Sequence, residues 1–154
     1  MSQLSPLSTF GLTHIAIGVS DLDRAFGFYE KVFGMVAVYR GESFIQAQTP
    51  GSRDVIVFER RPEKAGETGG IAHFGFRLQH ASSIEQAEGL IRHAGGTIVE
   101  RGEFVPGEPY IFARDPDGYL IEVWFEIPTS VDPVIPRRGA AELASSETNT
   151  SIKS

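Results

Sequence analysis

One order of predicted elements occurs twice along this chain and limits the folds open to it. Alternating side chains predict a strand at 11–19, followed by an amphipathic helix at 21–33 with Ser20 as its N-cap. Further strands are predicted at 35–40, 44–48 and 54–59. The same order returns as a strand within 70–78, a helix at 82–94, and strands at 97–103, 109–114 and 119–126. Two copies of strand–helix–three strands predict an α+β fold.

The repeat also sets the expected domain boundaries. Residues 1–10 are polar and predict a flexible lead, and residues 11–126 predict one domain made of two modules, 11–60 and 70–126. A Pro-rich stretch begins at 127, and it is followed by small, polar and charged residues. We therefore expect an extended, disordered tail at 127–154.

Charge and composition exclude several function classes. The net charge is −6 and the sequence pI is about 5.2, with no long basic run, so nucleic acid is not an expected partner. No apolar stretch approaches the length of a membrane span, and the N-terminal residues lack the pattern of a signal peptide. There is no cysteine, which excludes disulfides, thiolate ligands and a cysteine nucleophile. We expect a cytoplasmic protein.

A carboxylate between two large apolar residues marks the last predicted strand. Leu120, Glu122 and Trp124 share one face, because side chains alternate along a strand. A carboxylate in apolar surroundings requires a partner. That partner is either an arginine, such as Arg77 or Arg114, or a metal ion.

Two histidines make the metal the preferred hypothesis. His14 and His73 lie in the middle of the first strand of each copy, and a single histidine in such a place is usually a structural residue. If the two copies face each other, His14, His73 and Glu122 converge on one cleft as metal ligands. Two imidazoles and one carboxylate leave coordination positions open, which suits Fe(II) best and also Mn, Ni, Co or Zn.

Three segments of the chain resemble one family. Residues 12–35, 70–78 and 112–124 are similar to the vicinal oxygen chelate superfamily, which includes glyoxalase I, extradiol dioxygenases, fosfomycin resistance proteins, methylmalonyl-CoA epimerase and bleomycin-binding proteins. The resemblance implies paired βαβββ modules that form a curved mixed sheet around a cleft. It also implies metal positions at His14, His73 and Glu122, a small-molecule substrate and a homodimer.

The ligand set distinguishes between activities within that family. The family's fourth ligand position falls on Val57, which cannot bind a metal, and this counts against glyoxalase I and the epimerase. Glu59 lies two residues further on the same face, and we interpret it as a surface carboxylate that would substitute only if the strand register shifted. Three ligands resemble both the extradiol dioxygenases and the fosfomycin resistance proteins, but the cationic cluster that binds a phosphonate in the latter has no clear counterpart here. The dioxygenases are the leading prediction, although Phe112 stands where those enzymes usually have a tyrosine.

Proton transfer and substrate binding have candidate residues of their own. Tyr110, His80 and Glu59 are the candidates for proton transfer. The candidate substrate contacts are Phe44, Gln46, Phe112 and Trp124. The alternatives are a glyoxalase-like lyase or isomerase, a thiol transferase, and a metal-free drug-binding protein of the bleomycin-resistance type.

Overall fold

The computed structural model describes residues 6–133. In this range lie two helices, α1 (Leu22–Phe33) and α2 (Ile84–His93). The strands of the first module are β1 (His14–Val19), β2 (Val36–Arg40), β3 (Phe44–Gln48) and β4 (Val55–Arg60). Those of the second are β5 (Phe74–Arg77), β6 (Thr97–Glu103), β7 (Pro109–Arg114) and β8 (Leu120–Trp124). Half of the lead predicted at 1–10 and most of the tail predicted at 127–154 lie outside the described residues.

Local chemistry explains where the helices begin and end. Asp21 is the N-cap of α1, with its carboxylate accepting a hydrogen bond from the Arg24 backbone N–H, so the prediction of Ser20 was wrong by one residue. Gly34 ends α1 in the left-handed conformation, which glycine adopts at little cost. The predicted second helix is divided into a 3₁₀ turn at Ala81–Ser83 and α2 proper.

The strands are divided between two sheets with the same internal order. Sheet A has the order β1-β4-β3-β2 and sheet B has the order β5-β8-β7-β6. In each sheet the first strand of the module runs parallel to the last, and the other pairs are antiparallel. The predicted α+β fold of two βαβββ modules is confirmed. Both first strands lie at a sheet edge, so β1 and β5 each have one paired neighbour among the described strands.

One hydrophobic core joins the two modules. Each sheet turns one face toward the helices, and the fully buried side chains there include Phe58 and Ile45 of sheet A and Ile111, Ile121 and Val123 of sheet B. Between the modules, Phe33 of α1 stacks on Phe76 of β5 with ring centroids 3.7 Å apart. Burial of such rings is the main favourable contribution to this contact.

Polar contacts reinforce the same joint. The Tyr29 hydroxyl donates a 2.8 Å hydrogen bond to the buried Asp115 carboxylate. Burial raises the pKa of the Asp115 carboxyl, and burial together with Asp115 raises the pKa of the Tyr29 phenol well above its ordinary value. The fully buried side chain of Asp117 accepts hydrogen bonds from the Ser20 backbone and from the Arg24 guanidinium. These bonds attach the start of α1 to the turn before β8.

Gly96 provides a test of how tightly the modules are packed. A Cβ at Gly96 would lie 2.7 Å from both Ile91 and Phe28, so a methyl group would push the two helices apart. We expect Gly96→Ala to destabilise the protein by about 1–3 kcal/mol, measured by urea denaturation. The control is Gly89→Ala in α2, where a Cβ meets nothing within 4 Å. It should stabilise the protein by up to about 1 kcal/mol, and an equal loss in both variants would contradict the tight joint.

Candidate metal centre

The face of each sheet that turns away from the helices carries the candidate site residues, and we call it the open face. On sheet B it includes Glu122, Trp124, Phe112 and Tyr110, whose strand neighbours Ile111, Ile121 and Val123 point into the core. On sheet A it includes Val57 and Gln46, which pair across β3 and β4. The open faces are therefore available to a ligand or to a second copy of the chain.

His73 and Glu122 meet on the open face of sheet B. The His73 Nε2 and Glu122 Oε2 atoms are 3.2 Å apart, with 36% and 13% of their side chains exposed. Two donor atoms that each bind one small divalent ion at about 2.1 Å lie about 3.0–3.4 Å apart for angles of about 90–110° at the ion. The spacing of the pair therefore fits two ligands of a single ion.

Neighbouring side chains orient this pair. The Phe112 ring packs edge-to-face against the His73 imidazole at a centroid distance of 5.0 Å. Gly75 pairs with Glu122 across β5 and β8, and a Cβ there would come within 3.1 Å of the Trp124 ring. Glycine at this position leaves room for the indole next to the carboxylate. Phe112 and Trp124 thus form apolar walls around the His73–Glu122 pair.

The two arginines that the sequence offered as partners of Glu122 are bound elsewhere. Arg77 forms a two-pronged contact with Asp132, at 3.0 and 2.9 Å, and also approaches Glu126. Its pKa is raised by the hydrogen bonding to Asp132. Arg114 donates to the backbone carbonyl of Gly118 at 2.9 Å. Neither arginine therefore pairs with Glu122, whose side-chain contact is with His73.

His14 does not complete the set within one chain. Its residue is exposed, and it lines a groove of about 540 Å³ that also includes His73. Among residues 6–133, however, no three His, Cys, Asp or Glu side chains are grouped closely enough to hold a metal ion. Within one chain, two of the three predicted ligands, His73 and Glu122, lie together, and the third, His14, lies apart from them.

The strand registers show how the two modules correspond. His14 pairs with Val55 and Ala16 with Val57 in sheet A, while Gly75 pairs with Glu122 in sheet B. Val57 therefore occupies the position in module one that Glu122 occupies in module two. Its apolar side chain explains why one module offers a pair of donor atoms and the other offers a single imidazole.

The candidates for proton transfer have different surroundings. Tyr110 donates a 2.5 Å hydrogen bond to Glu100, and this bond, with smaller effects of desolvation and of the Glu100 and Glu122 charges, raises the pKa of the phenol. Glu59 is paired with Arg61 at 2.8 Å and shares a smaller cavity, of about 310 Å³, with His73. His80 is exposed and precedes the 3₁₀ turn at the other end of β5 from His73.

The candidate substrate contacts belong to two different sheets. Phe44 and Gln46 lie on the open face of sheet A, where the Phe44 ring stacks on Tyr39 at 4.9 Å. Phe112 and Trp124 lie on sheet B, close to the His73–Glu122 pair. Sequence reasoning did not identify Glu100, which lies on the same face as Tyr110. The sequence does contain a sign of it: Glu100 and Gly102 are two residues apart on β6 and so share one face, and β6 is followed by the strand that carries Tyr110.

Neither helix in the described part of the chain is long and apolar enough to cross a membrane.

Comparisons with known proteins identify the family. A sequence profile of the Glyoxalase/Bleomycin resistance protein/Dioxygenase superfamily matches residues 11–123. An uncharacterized protein from Pseudomonas aeruginosa is 31% identical over 121 residues, covering 72% of this chain and 85% of that protein.

Solved structures of similar fold include two proteins that are named for an activity. A fosfomycin resistance protein from Listeria monocytogenes is 20% identical with a TM-score of 0.65, over 78% of this chain and 96% of that one. A lactoylglutathione lyase from Agrobacterium tumefaciens is 19% identical with a TM-score of 0.60, over 76% and 94%. At these identities the two structures support the fold alone. The profile match and the Pseudomonas relative show that this chain belongs to the glyoxalase/bleomycin resistance protein/dioxygenase superfamily.

Proposed function

We propose that this protein is a metal-dependent enzyme of the vicinal oxygen chelate type, acting on a small substrate through two neighbouring oxygens, with ring-cleaving dioxygenase chemistry as its leading activity. The observation that carries the proposal is the contact between His73 and Glu122, 3.2 Å apart on an open sheet face. A divalent ion at such a site supplies positive charge that holds substrate oxygens and stabilises negative charge on them. Two imidazoles and a carboxylate favour Fe(II).

The third ligand, in this proposal, is His14 of a second copy of the chain. The connections between the modules argue against bringing His14 to Glu122 within one chain. Tyr119 donates a 2.7 Å hydrogen bond to the Gly18 carbonyl at the end of β1, and Asp117 binds the start of α1. Closing the groove would disturb these contacts, whereas docking a second copy would leave them intact.

A two-fold symmetric dimer would bring His14 of each copy to the His73–Glu122 pair of the other through the same interface. Each copy offers an exposed His14 on sheet A and a His73–Glu122 pair on sheet B. A symmetric pair of chains would therefore build two identical sites from complementary halves. The cleft would combine Phe44 and Gln46 of one copy with Phe112 and Trp124 of the other.

The chain's own residues would shape the substrate site around the pair. Phe112 would hold the His73 ring in place and, with Trp124, would exclude water from the apolar side of the substrate. Tyr110 and Glu59 would be polar groups of the cleft that lie further from the His73–Glu122 pair than Phe112 and Trp124 do. Phe112 has no proton to donate, so any proton transfer would depend on those groups.

The function is tested by loading the full chain with Fe(II) under anaerobic conditions and following oxygen uptake with a panel of catechols. We expect about one bound ion per chain and oxygen consumption that depends on both the ion and a catechol. Failure to bind any divalent ion would contradict a metal-dependent enzyme and favour a metal-free binding protein. Metal binding without oxygen uptake would contradict ring cleavage and favour a lyase, an isomerase or a thiol transferase.

A further inference from the structure

A row of aromatic rings crosses the open face of sheet B from the His73–Glu122 pair toward the β6–β7 hairpin. Phe112 contacts His73, and it also lies edge-on to Tyr110 with ring centroids 5.5 Å apart. Tyr110 in turn stacks on Phe104 at 4.2 Å. Phe104 is 54% exposed, so the row ends in an aromatic surface that is open to a ligand.

Gly102 allows Tyr110 to lie across the neighbouring strand. The two residues pair across β6 and β7, and a Cβ at Gly102 would come within 2.8 Å of the tyrosine hydroxyl. Any larger residue would lift the ring away from β6. With glycine there, the hydroxyl reaches the Glu100 carboxylate on the same strand.

The polar groups at this end of the row only accept hydrogen bonds. Tyr110 uses its single hydroxyl hydrogen on Glu100, so its oxygen has only lone pairs left to offer. The Glu100 carboxylate is also an acceptor, and among the described residues it forms no ion pair.

The arginines of β6 and β7 are engaged elsewhere. Arg101, the next residue on β6, binds Glu85 and Glu88 of α2 on the other face of the sheet. Arg114, two residues from Phe112 on β7, donates to the Gly118 carbonyl. The Glu100 carboxylate therefore keeps its capacity to bind a cation from a ligand.

We propose that Glu100, Tyr110 and Phe104 form a subsite for a protonated amine carried by the ligand. The carboxylate and the phenol oxygen accept its N–H groups, and the aromatic faces favour its charge. Glu100, Phe112 and Glu122 form one row across β6, β7 and β8, so the subsite lies about 10 Å from Glu122. The substrate would then be an aromatic ring that chelates the metal through two oxygens and carries a short amine arm. This part of the inference rests on the proposed function.

The subsite is tested without metal or turnover, on the full chain in the presence of chelator. The probes are phenethylamine and phenylacetate, which have similar size and opposite charge, and the readout is the NMR shift of ¹³C-labelled tyrosine rings. We expect phenethylamine to shift the Tyr110 signals at millimolar concentration and to bind at least about tenfold more tightly than phenylacetate.

Variants identify the groups responsible. Glu100→Gln should weaken phenethylamine binding by about tenfold, and Gly102→Ala should weaken it by displacing the Tyr110 ring. Glu103→Gln makes the same charge change on β6 and should have no effect. Equal binding of both probes, no Tyr110 shift with phenethylamine, or unchanged affinity in Glu100→Gln would overturn the subsite. These results are independent of the oxygen-uptake assay, because the protein carries no metal and neither probe has oxygens on adjacent carbon atoms.

Discussion

Replacing Glu122 by alanine should reduce bound divalent metal from about one ion per chain to almost none and lower turnover on the order of a thousandfold. The reason is that Glu122 and His73 form the one preassembled pair of ligating atoms of the proposed site, 3.2 Å apart. The two imidazoles that remain, His73 and His14 of the second copy, lie on different chains and would bind the ion far more weakly. The measurement is elemental analysis of metal-loaded, desalted protein, together with turnover in the assay that the catechol panel identifies.

His73→Ala should have the same effect, and two matched variants serve as controls. His93→Ala removes an exposed imidazole at the end of α2, and Glu103→Ala removes an exposed carboxylate from β6. Neither should change metal content or turnover. Full metal content in Glu122→Ala, with unchanged circular dichroism, would show that the ion binds elsewhere and would remove the main support for the proposed function.

Mixing two inactive variants should restore activity if His14 acts from a second copy. In a dimer of one His14→Ala chain and one Glu122→Ala chain, one of the two shared sites contains only native residues. Random exchange of subunits should therefore recover about one quarter of native metal binding and turnover, from a starting level near zero. The measurement is made after co-refolding or co-expression, with the dimer content checked by sedimentation.

A second mixture provides the control for that experiment. His73 and Glu122 belong to the same module, so combining His73→Ala with Glu122→Ala leaves every shared site defective and should recover nothing. If His14 instead reached Glu122 within its own chain, neither mixture would recover activity. Recovery in the first mixture alone is the outcome that supports a site shared between subunits.

Most of the architecture follows from periodicity that is local in the chain. Alternation at 11–19 and helical spacing at 21–33 depend on contacts between residues a few positions apart, so both elements lie where they were predicted. The start of the helix shifts by one residue because capping depends on which side chain reaches a free backbone N–H, as at Asp21. Strand β1 begins three residues later than predicted, at His14. The division of the strands into two sheets depends on contacts between residues that are far apart in the chain. In the structure β1 and β5 are edge strands of separate sheets.

The candidate site divides in the same way. Pairing of His73 with Glu122 was predictable, because the last strand of a module pairs in parallel with the first and the alternation puts both on one face. The hydrogen bond between Tyr110 and Glu100 was not, because β6 is irregular between Ile98 and Glu100 and this shift decides which residue of β6 faces the tyrosine. The sequence alone does not show whether a carboxylate on an exposed strand has a functional partner, because that depends on which residue faces it across the sheet.

By itself, the sequence determined the two βαβββ modules, the face on which Glu122 lies and the chemical kind of each candidate ligand, because these follow from residue type and from periods of two and 3.6. The tertiary structure alone decided which candidates meet. It joined His73 to Glu122, gave Arg77 and Arg114 other partners, and left His14 on the other sheet, outside any group of three ligands among the described residues. The physical reason is that side-chain partnership across a fold depends on how the modules are packed. Here three contacts between residues that are distant in sequence, Tyr29–Asp115, Phe33–Phe76 and Ser20–Asp117, hold the two open faces in place.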